Sequence, residues 1–270
     1  MAHIQQLLII GCGNMGGAML AGWLAAGIDP ARFAILDPGL ERAPQGVVLY
    51  RDVAEAEAAG AHDAVLLGFK PQQLGKLAPG LRGLTGNGIE IYSLLAGLTI
   101  AQLKTAFPSA DAHIRVMPNL AARINKSPII LFEDGLGTQA KSSAFAFFEH
   151  LGTALWLDNE AKFDLVTALA GSGPGFVYRF IDALAEAAVN LGLEQVQATS
   201  LALSMVEGAS SLAANADASP GILADRVASP GGMTREGLNV LDADKALVKL
   251  LTRTLKATAD KGAQLSAEAD

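Results

Sequence analysis

Two glycine-bearing stretches hold the residues whose types and spacing could do chemistry. Gly11, Gly13 and Gly16 stand in the spacing G-x-G-x-x-G. In that pattern one glycine makes a tight turn, the next lets the backbone approach a pyrophosphate, and the third lets helix pack on strand. Asn14 and Met15 fall where the following helix would begin, and its free N–H groups and dipole favour an anion there. Asp37 follows the last glycine at about the 20-residue interval at which an acid accepts hydrogen bonds from a ribose 2′-hydroxyl. Cys12, inside the turn, reads as a small space-filling side chain. The second stretch is Ser229-Pro-Gly-Gly-Met-Thr234. Gly231 and Gly232 allow a sharp turn and a close approach to a ligand. Ser229 and Thr234 bring hydroxyls, and Thr234 suits the N-cap of a helix expected over Arg235 to Leu241. Taken alone, this stretch is either a cradle for a carboxylate or phosphate, or a plain turn between helices.

The rest of the chain must position these residues. At 270 residues it can bury a large core in one or two domains. Half of it is hydrophobic, glycine is frequent and only 17% is charged, as in a compact globular protein. The net charge of −7 argues against a nucleic-acid or anionic-membrane partner. A single cysteine rules out an internal disulfide and fits a reducing, cytoplasmic compartment. No metal is expected. Leu7 to Ile28 contains no charged residue and is long enough to raise a membrane span. It lacks a basic flank, and its clustered glycines suit a strand, a turn and a helix instead.

Strand and helix then alternate. Leu7 to Ile10 reads as a buried strand and Asn14 to Ala26 as an Ala-rich helix stopped by Gly27. Strands are expected over Arg32 to Leu36, Asp63 to Phe69, Ile89 to Leu94 and His113 to Val116. Shorter ones are expected over Pro128 to Phe132 and Ala154 to Leu157. Helices are expected over Asp52 to Ala61, Gln72 to Leu81, Ile100 to Ala106 and Gln139 to His150. The alternation implies a parallel sheet covered on both faces, with ligands at the carboxyl ends of its strands. Lys70, Ala96-Gly97 and Met117-Pro118-Asn119 fall at those ends. Lys70 faces a phosphate or nicotinamide ribose, or is an ordinary exposed lysine. After Asp158 no further strand follows. Helices are expected over Lys162 to Ala170, Phe176 to Leu191, Glu194 to Asn215, Pro220 to Val227 and Ala243 to Leu265, with Gly171 to Gly175 breaking the first from the second. The change divides residues 1–160, a Rossmann-type α/β domain, from residues 161–270, an all-α domain. Helices apolar on more than one side need more than one neighbour, so the second domain is expected to build a homodimer.

Over nearly its whole length the chain resembles the pyrroline-5-carboxylate reductase family. The resemblance is carried by Ile10 to Gly17, Lys70-Pro71, Ser93 to Thr99 and Ile114 to Asn119. It continues through Gly171 to Leu193, Pro220-Gly221 and Leu223 to Asp242, with S-P-G-G-x-T at the centre of the last. The resemblance implies reduction of 1-pyrroline-5-carboxylate to L-proline with hydride from NADPH or NADH, the last step of proline biosynthesis. It implies that Gly11, Gly13, Asn14, Met15, Gly16, Asp37, Lys70, Ala96, Gly97, Met117, Pro118 and Asn119 hold the cofactor. It implies that Ser229, Gly231, Gly232, Met233 and Asp217 hold the substrate, with Thr234 near its ring nitrogen. It also implies a site completed between two protomers of a homodimer, or of a ring of dimers.

Several residues depart from the family's pattern. Asp37 stands where NADP-preferring members tolerate a 2′-phosphate, so NADH is expected to serve at least as well, unless Arg32 or Arg42 offsets the charge. Leu120-Ala121 replaces Thr-Pro. Met233 leaves only its N–H for a carboxylate. Asp217 stands for a longer Glu, or is a solvated loop residue. A related two-domain NAD(P)-dependent imine reductase acting on larger cyclic imines is the alternative reading; a two-domain hydroxy-acid dehydrogenase would also share the fold, but it needs a lysine base early in the helical domain. Lys162 precedes Gly171-Ser172-Gly173 instead of following it. A nucleotide-binding scaffold would have no need of Thr234.

Overall fold

A computed structural model describes residues 4–60, 62–86 and 88–268, with side chains as far as residue 264. Its centre is β1 (Leu7–Ile10), buried along its whole length. Around it lies an eight-stranded sheet in the order β3-β2-β1-β4-β5-β6-β7-β8. The others are β2 (Phe33–Leu36), β3 (Val48–Tyr50), β4 (Ala64–Leu67), β5 (Glu90–Ser93), β6 (Ala112–Met117), β7 (Ser127–Asp134) and β8 (Gly152–Trp156). Neighbours are parallel except β6 and β7, which pair antiparallel, Met117 opposite Ile130. The expectation of a wholly parallel sheet is corrected there. Only a short 3₁₀ turn, Leu120–Ile124, links those two strands, and a parallel return needs a crossover of a dozen residues or more.

The faces of the sheet are covered by α1 (Asn14–Ala25), α2 (Val53–Ala59), α3 (Leu74–Leu81), α4 (Ile100–Ala106) and α5 (Thr138–Glu149). Because successive strand residues point to opposite faces, Leu7 and Ile9 enter one core with Trp23, Phe147 and Phe148. Leu8 and Ile10 enter the other with Leu67 and Phe107. The Trp23 ring lies tilted against that of Phe147, centroids 4.8 Å apart, and its N–H donates to the Phe147 carbonyl at 3.2 Å. Leu7 to Ile28 is thus a strand and a helix inside this core. Among the described residues no helix is long and apolar enough to cross a membrane. The strand β3 was not anticipated. The helix expected over residues 52–61 is α2, capped by the Asp52 carboxylate, and Ala61 lies outside the described residues.

Beyond β8 the chain is helical: α6 (Phe163–Val166), a π turn (Thr167–Gly171), α7 (Gly173–Asn190), α8 (Gln195–Ala214), α9 (Pro220–Arg226), α10 (Met233–Asp242) and α11 (Ala246–Glu268). The break expected at Gly171 to Gly175 is corrected: only Ser172 separates the π turn from α7. Pro174 is accommodated because the first turn of a helix needs no N–H from it. By internal contacts the chain forms two compact units, Met1–Ser172 with Thr258–Asp270, and Gly173–Ala257. Within the second unit α7 and α8 meet through Ala185, Ala198 and Ala202. Val196, Leu201, Leu212 and Val240 there remain exposed.

Candidate functional site

The three glycines of the first motif divide their tasks as their spacing requires. Gly11 adopts φ +84°, and a Cβ on it would meet the Phe69 nitrogen at 2.8 Å. A Cβ on Gly68, at the end of β4, would meet the Gly11 carbonyl oxygen at 2.4 Å. Two backbones therefore touch where no side chain fits. A Cβ on Gly13 would meet nothing within 4 Å, and one on Gly16 would press on the Gly11 oxygen at 3.0 Å. The open side of Gly13 borders a cavity of about 580 Å³ that also reaches Asp37, Arg51, Asp52 and Lys70. Asn14 and Met15 open α1, with Gly13 as its N-cap. Their N–H groups lie in the turn that has no intrahelical acceptor.

Asp37 closes the far wall of this cavity. One carboxylate oxygen accepts the Cys12 N–H at 2.9 Å, and the other accepts the Gly39 N–H at 2.9 Å. A carboxylate has lone pairs beyond these two for a ribose diol. Cys12 behaves as filler: burial first, and then the Asp37 charge, push its thiol up to about 11. The residues present fit a dinucleotide, with an open glycine at the helix start and a fixed acid opposite. Arg32, one of the two residues that could have offset this charge, is placed away from it. Its guanidinium donates to the backbone oxygens of Ile4 and Gln5, ahead of β1, at the other end of the strand from the cavity. Arg42 is exposed. Lys70 is exposed where the chain leaves β4, and its N–H donates to the Gln73 side chain at 3.2 Å.

Ala96-Gly97 and Met117-Asn119 both follow strand ends. Gly97 turns with φ +78°, after which Thr99 caps α4 by accepting from the Gln102 N–H at 3.2 Å. Met117 is buried. Asn119 is engaged on all sides. Its N–H meets the Ser127 hydroxyl, its Oδ1 accepts from the Ala121 N–H, and its Nδ2 donates to the Ala170 carbonyl, each at 2.9 Å. It therefore holds the turn's shape and leaves the turn's backbone for a ligand. Beneath it the guanidinium of Arg115, 5% exposed, pairs with Glu160 at 2.8 Å and lies 3.7 Å over the Phe163 ring. The same Glu160 oxygen accepts the Ile100 N–H at 2.8 Å. One carboxylate thus ties β6, the start of α4 and the entry to α6. On the π turn the Thr167 hydroxyl is buried without a hydrogen-bond partner.

In the second unit, Gly231 turns with φ +70° and the Gly232 N–H closes on the Ser229 oxygen at 2.9 Å. Gly232 is the N-cap of α10, which corrects the expectation that Thr234 would be. Glycine is tolerated at an N-cap at a cost of a few tenths of a kcal/mol, so the helix starts earlier. The Met233 and Thr234 N–H groups become first-turn donors. Ser229, Met233 and Thr234 are exposed, Met233 by 94%. Arg235 braces this loop, donating to Asp225 at 2.7 Å and to the Ala228 carbonyl at 3.4 Å. Asp217 is exposed between α8 and α9. Sequence reasoning missed Gly68, Arg51 and the Arg115–Glu160 pair. Only Gly68, a glycine at a strand end before Lys70-Pro71, carried a signal that could have found it.

Two family profiles match the chain. One, described as pyrroline-5-carboxylate reductase dimerisation, covers residues 160–265. The other, described as NADP oxidoreductase coenzyme F420-dependent, covers residues 6–89. The chain is 32% identical to pyrroline-5-carboxylate reductase 2 of Bacillus subtilis over 269 residues, 95% of each chain. It is 32% identical to the pyrroline-5-carboxylate reductase of Pseudomonas aeruginosa over 200 residues, 73% of each. The structure of a pyrroline-5-carboxylate reductase from Coxiella burnetii matches with a TM-score of 0.89 at 28% identity, covering 97% of this chain and 98% of that one.

Proposed function

The chain belongs to the pyrroline-5-carboxylate reductase family, and from that premise we propose how its residues divide the work. It is an NAD(P)H-dependent oxidoreductase acting on the C=N bond of 1-pyrroline-5-carboxylate, in proline biosynthesis. When bound, the nicotinamide supplies a hydride to the imine carbon while the ring nitrogen carries a proton. The chain's own residues bind and orient. Gly11, Gly13, Asn14, Met15 and Gly16 hold the pyrophosphate at the start of α1. Asp37 holds the adenosine ribose, and Lys70 approaches the phosphates or nicotinamide ribose. The turns at Ala96-Gly97 and Met117-Pro118-Asn119 flank the nicotinamide. Fixing hydride donor and acceptor in a near-attack geometry is worth about 7 kcal/mol or more.

The substrate carboxylate sits against the N–H groups of Gly231 and Met233, steadied by Ser229 and without a cationic ligand; Gly232, whose own N–H closes the turn on the Ser229 oxygen, lets the backbone come close to it. Thr234 is the residue at the ring nitrogen. A threonine hydroxyl is a poor acid, so it orients the ring and passes a proton only through water. Asp217 faces the same nitrogen from the turn before α9. The observation that carries this reading is the loop at α10: a positive-φ glycine, a glycine N-cap and exposed first-turn donors beside Thr234.

Residues 1–160 form the cofactor domain in this reading, and residues 161–270 the substrate-binding and dimerisation domain. The exposed apolar side chains of α7, α8, α10 and α11 support a homodimer, extended or not to a ring of dimers, in the cytoplasm. Asp37 supports NADH use at least comparable to NADPH. The test is steady-state kinetics with 1-pyrroline-5-carboxylate and each cofactor. Turnover is expected with both, and Thr234→Ala should lower kcat by about tenfold or more, the usual scale for a group aiding proton placement. Full activity in Thr234→Ala would overturn the role of Thr234. A kcat/KM a hundredfold or more in favour of NADPH would overturn that of Asp37. Sedimentation as a monomer at micromolar concentration would overturn the dimer.

A further inference from the structure

We infer that Arg51 is the residue through which the adenosine end of the cavity accepts a 2′-phosphate. The inference rests on the reading of the Gly13–Asp37 cavity as the cofactor site. Pairing places Tyr50 of β3 opposite Leu36 of β2, and the Asp37 N–H donates to the Tyr50 oxygen at 3.2 Å. Arg51 therefore leaves its strand beside Asp37, and both line the same cavity. Lys70 lines it too, but from β4. The strand order puts β4 on the far side of β1 from β2 and β3, so Lys70 is nearer the pyrophosphate.

The Arg51 guanidinium reaches over the loop after Asp37. It donates to the carbonyl oxygen of Leu40 and, at 2.7 Å, to that of Glu41. Both acceptors are neutral. Among the described residues, the ion pairs involve Lys104, Arg115, Lys141, Lys162, Arg179 and Arg235, but not Arg51. Its guanidinium is thus held at the cavity wall without a direct ion pair, while the backbone N–H of the same residue donates to the Glu55 carboxylate at 2.7 Å. A guanidinium has five N–H donors in a planar fork matched to phosphate oxygens, and the two carbonyls leave donors over. A phosphate esterified on the ribose hydroxyl next to Asp37 would meet this fork. Opposing it are the Asp37 carboxylate and Asp52, whose own carboxylate is engaged by the Glu55 N–H at 2.9 Å. The pocket so built takes NADH through Asp37 and still admits NADPH through Arg51, an arrangement in which a nearby arginine tolerates the extra phosphate.

The experiment is calorimetric titration of the full chain, with no turnover involved. The probes are adenosine 2′,5′-bisphosphate and adenosine 5′-monophosphate, at low and moderate salt. The variants are Arg51→Gln, whose amide can still brace one carbonyl, and Arg42→Gln as the nearest other cation of that loop. Arg51→Gln should weaken the bisphosphate about tenfold or more, the loss expected for one charged hydrogen-bonding fork. It should leave the monophosphate within about threefold and flatten the salt dependence of bisphosphate binding. Equal weakening of both nucleotides would make Arg51 a loop brace only, and no change, or a loss seen in Arg42→Gln instead, would likewise overturn the inference. Failure of the unaltered protein to bind either nucleotide would sink the cavity assignment itself, which is a different result.

Discussion

Replacing Gly22 with alanine sets local preference against packing, and the structure decides between them. On an exposed helix the change stabilises by about 1 kcal/mol. Gly22 lies in α1, buried, and a Cβ there would meet the Ala122 oxygen at 2.1 Å and Leu151 Cδ2 at 2.8 Å. Carbon and carbonyl oxygen normally keep about 3.3 Å apart even in close interhelical contacts. So α1 and the Leu120–Ile124 turn must separate by about 1 Å, judged against that spacing. The separation also stretches the bond from the Asn125 side chain to the Gly22 oxygen, now 2.9 Å. Overpacking costs about 1–3 kcal/mol and the weakened bond about 1. Set against the helix gain, the net loss is about 2 kcal/mol. For a chain of this size that lowers the thermal midpoint by about 4–8 °C. The control is Gly80→Ala in α3, where a Cβ meets nothing within 4 Å and the midpoint should hold or rise. Paired melts followed by circular dichroism make the comparison. Because α1 carries the Gly13–Gly16 turn, NADH should also bind Gly22→Ala severalfold more weakly. A Gly22→Ala protein as stable as its parent would refute the packing argument.

The remaining predictions concern single groups. Glu160→Gln removes the charge facing a buried guanidinium and should cost about 2 kcal/mol, less than a fully buried pair because Glu160 is partly exposed; adding Arg115→Met should restore part of the loss in a double-mutant cycle. Asp37→Ser should raise the NADPH to NADH ratio of kcat/KM by about tenfold; an unchanged ratio would remove Asp37 from cofactor choice. Cys12, with its thiol raised to about 11, should react with iodoacetamide at pH 8 at least about a hundredfold more slowly than an unfolded-chain cysteine, since only the thiolate attacks. The raised value also means that the neutral thiol is the form favoured by folding. Its contribution is complete below the ordinary thiol value of 9.0 and is lost as pH rises toward about 11.

What could be read beforehand follows the reach of each interaction. The turn at Gly11 to Gly16 and the helix after it were legible because every constraint is local: a strand, a positive-φ glycine, an open glycine. Helix α4 appeared with its observed start because Thr99 and Gln102 cap it from within the same four residues. The strand β3 escaped because three half-exposed residues at a sheet edge carry little pattern. The antiparallel return of β7 was a matter of connection length: the nine residues between Met117 and Ser127 cannot hold a crossover helix, and that signal was present but not used. The Arg115–Glu160 pair joins residues far apart in sequence, and nothing local announces it. Thr234 was assigned the N-cap because threonine prefers that place. The turn from Ser229 to Gly232 overrode the preference by closing two residues sooner.

The first compact unit is discontinuous: it takes in Thr258–Asp270 as well as Met1–Ser172. During synthesis domains generally fold in the order in which they emerge. Here the unit that begins with β1 is completed only after the segment that starts at Thr258 has been made. The helical half, made in between, has all of its residues first. A chain cut short before Thr258 would therefore be defective in the part that was translated earliest.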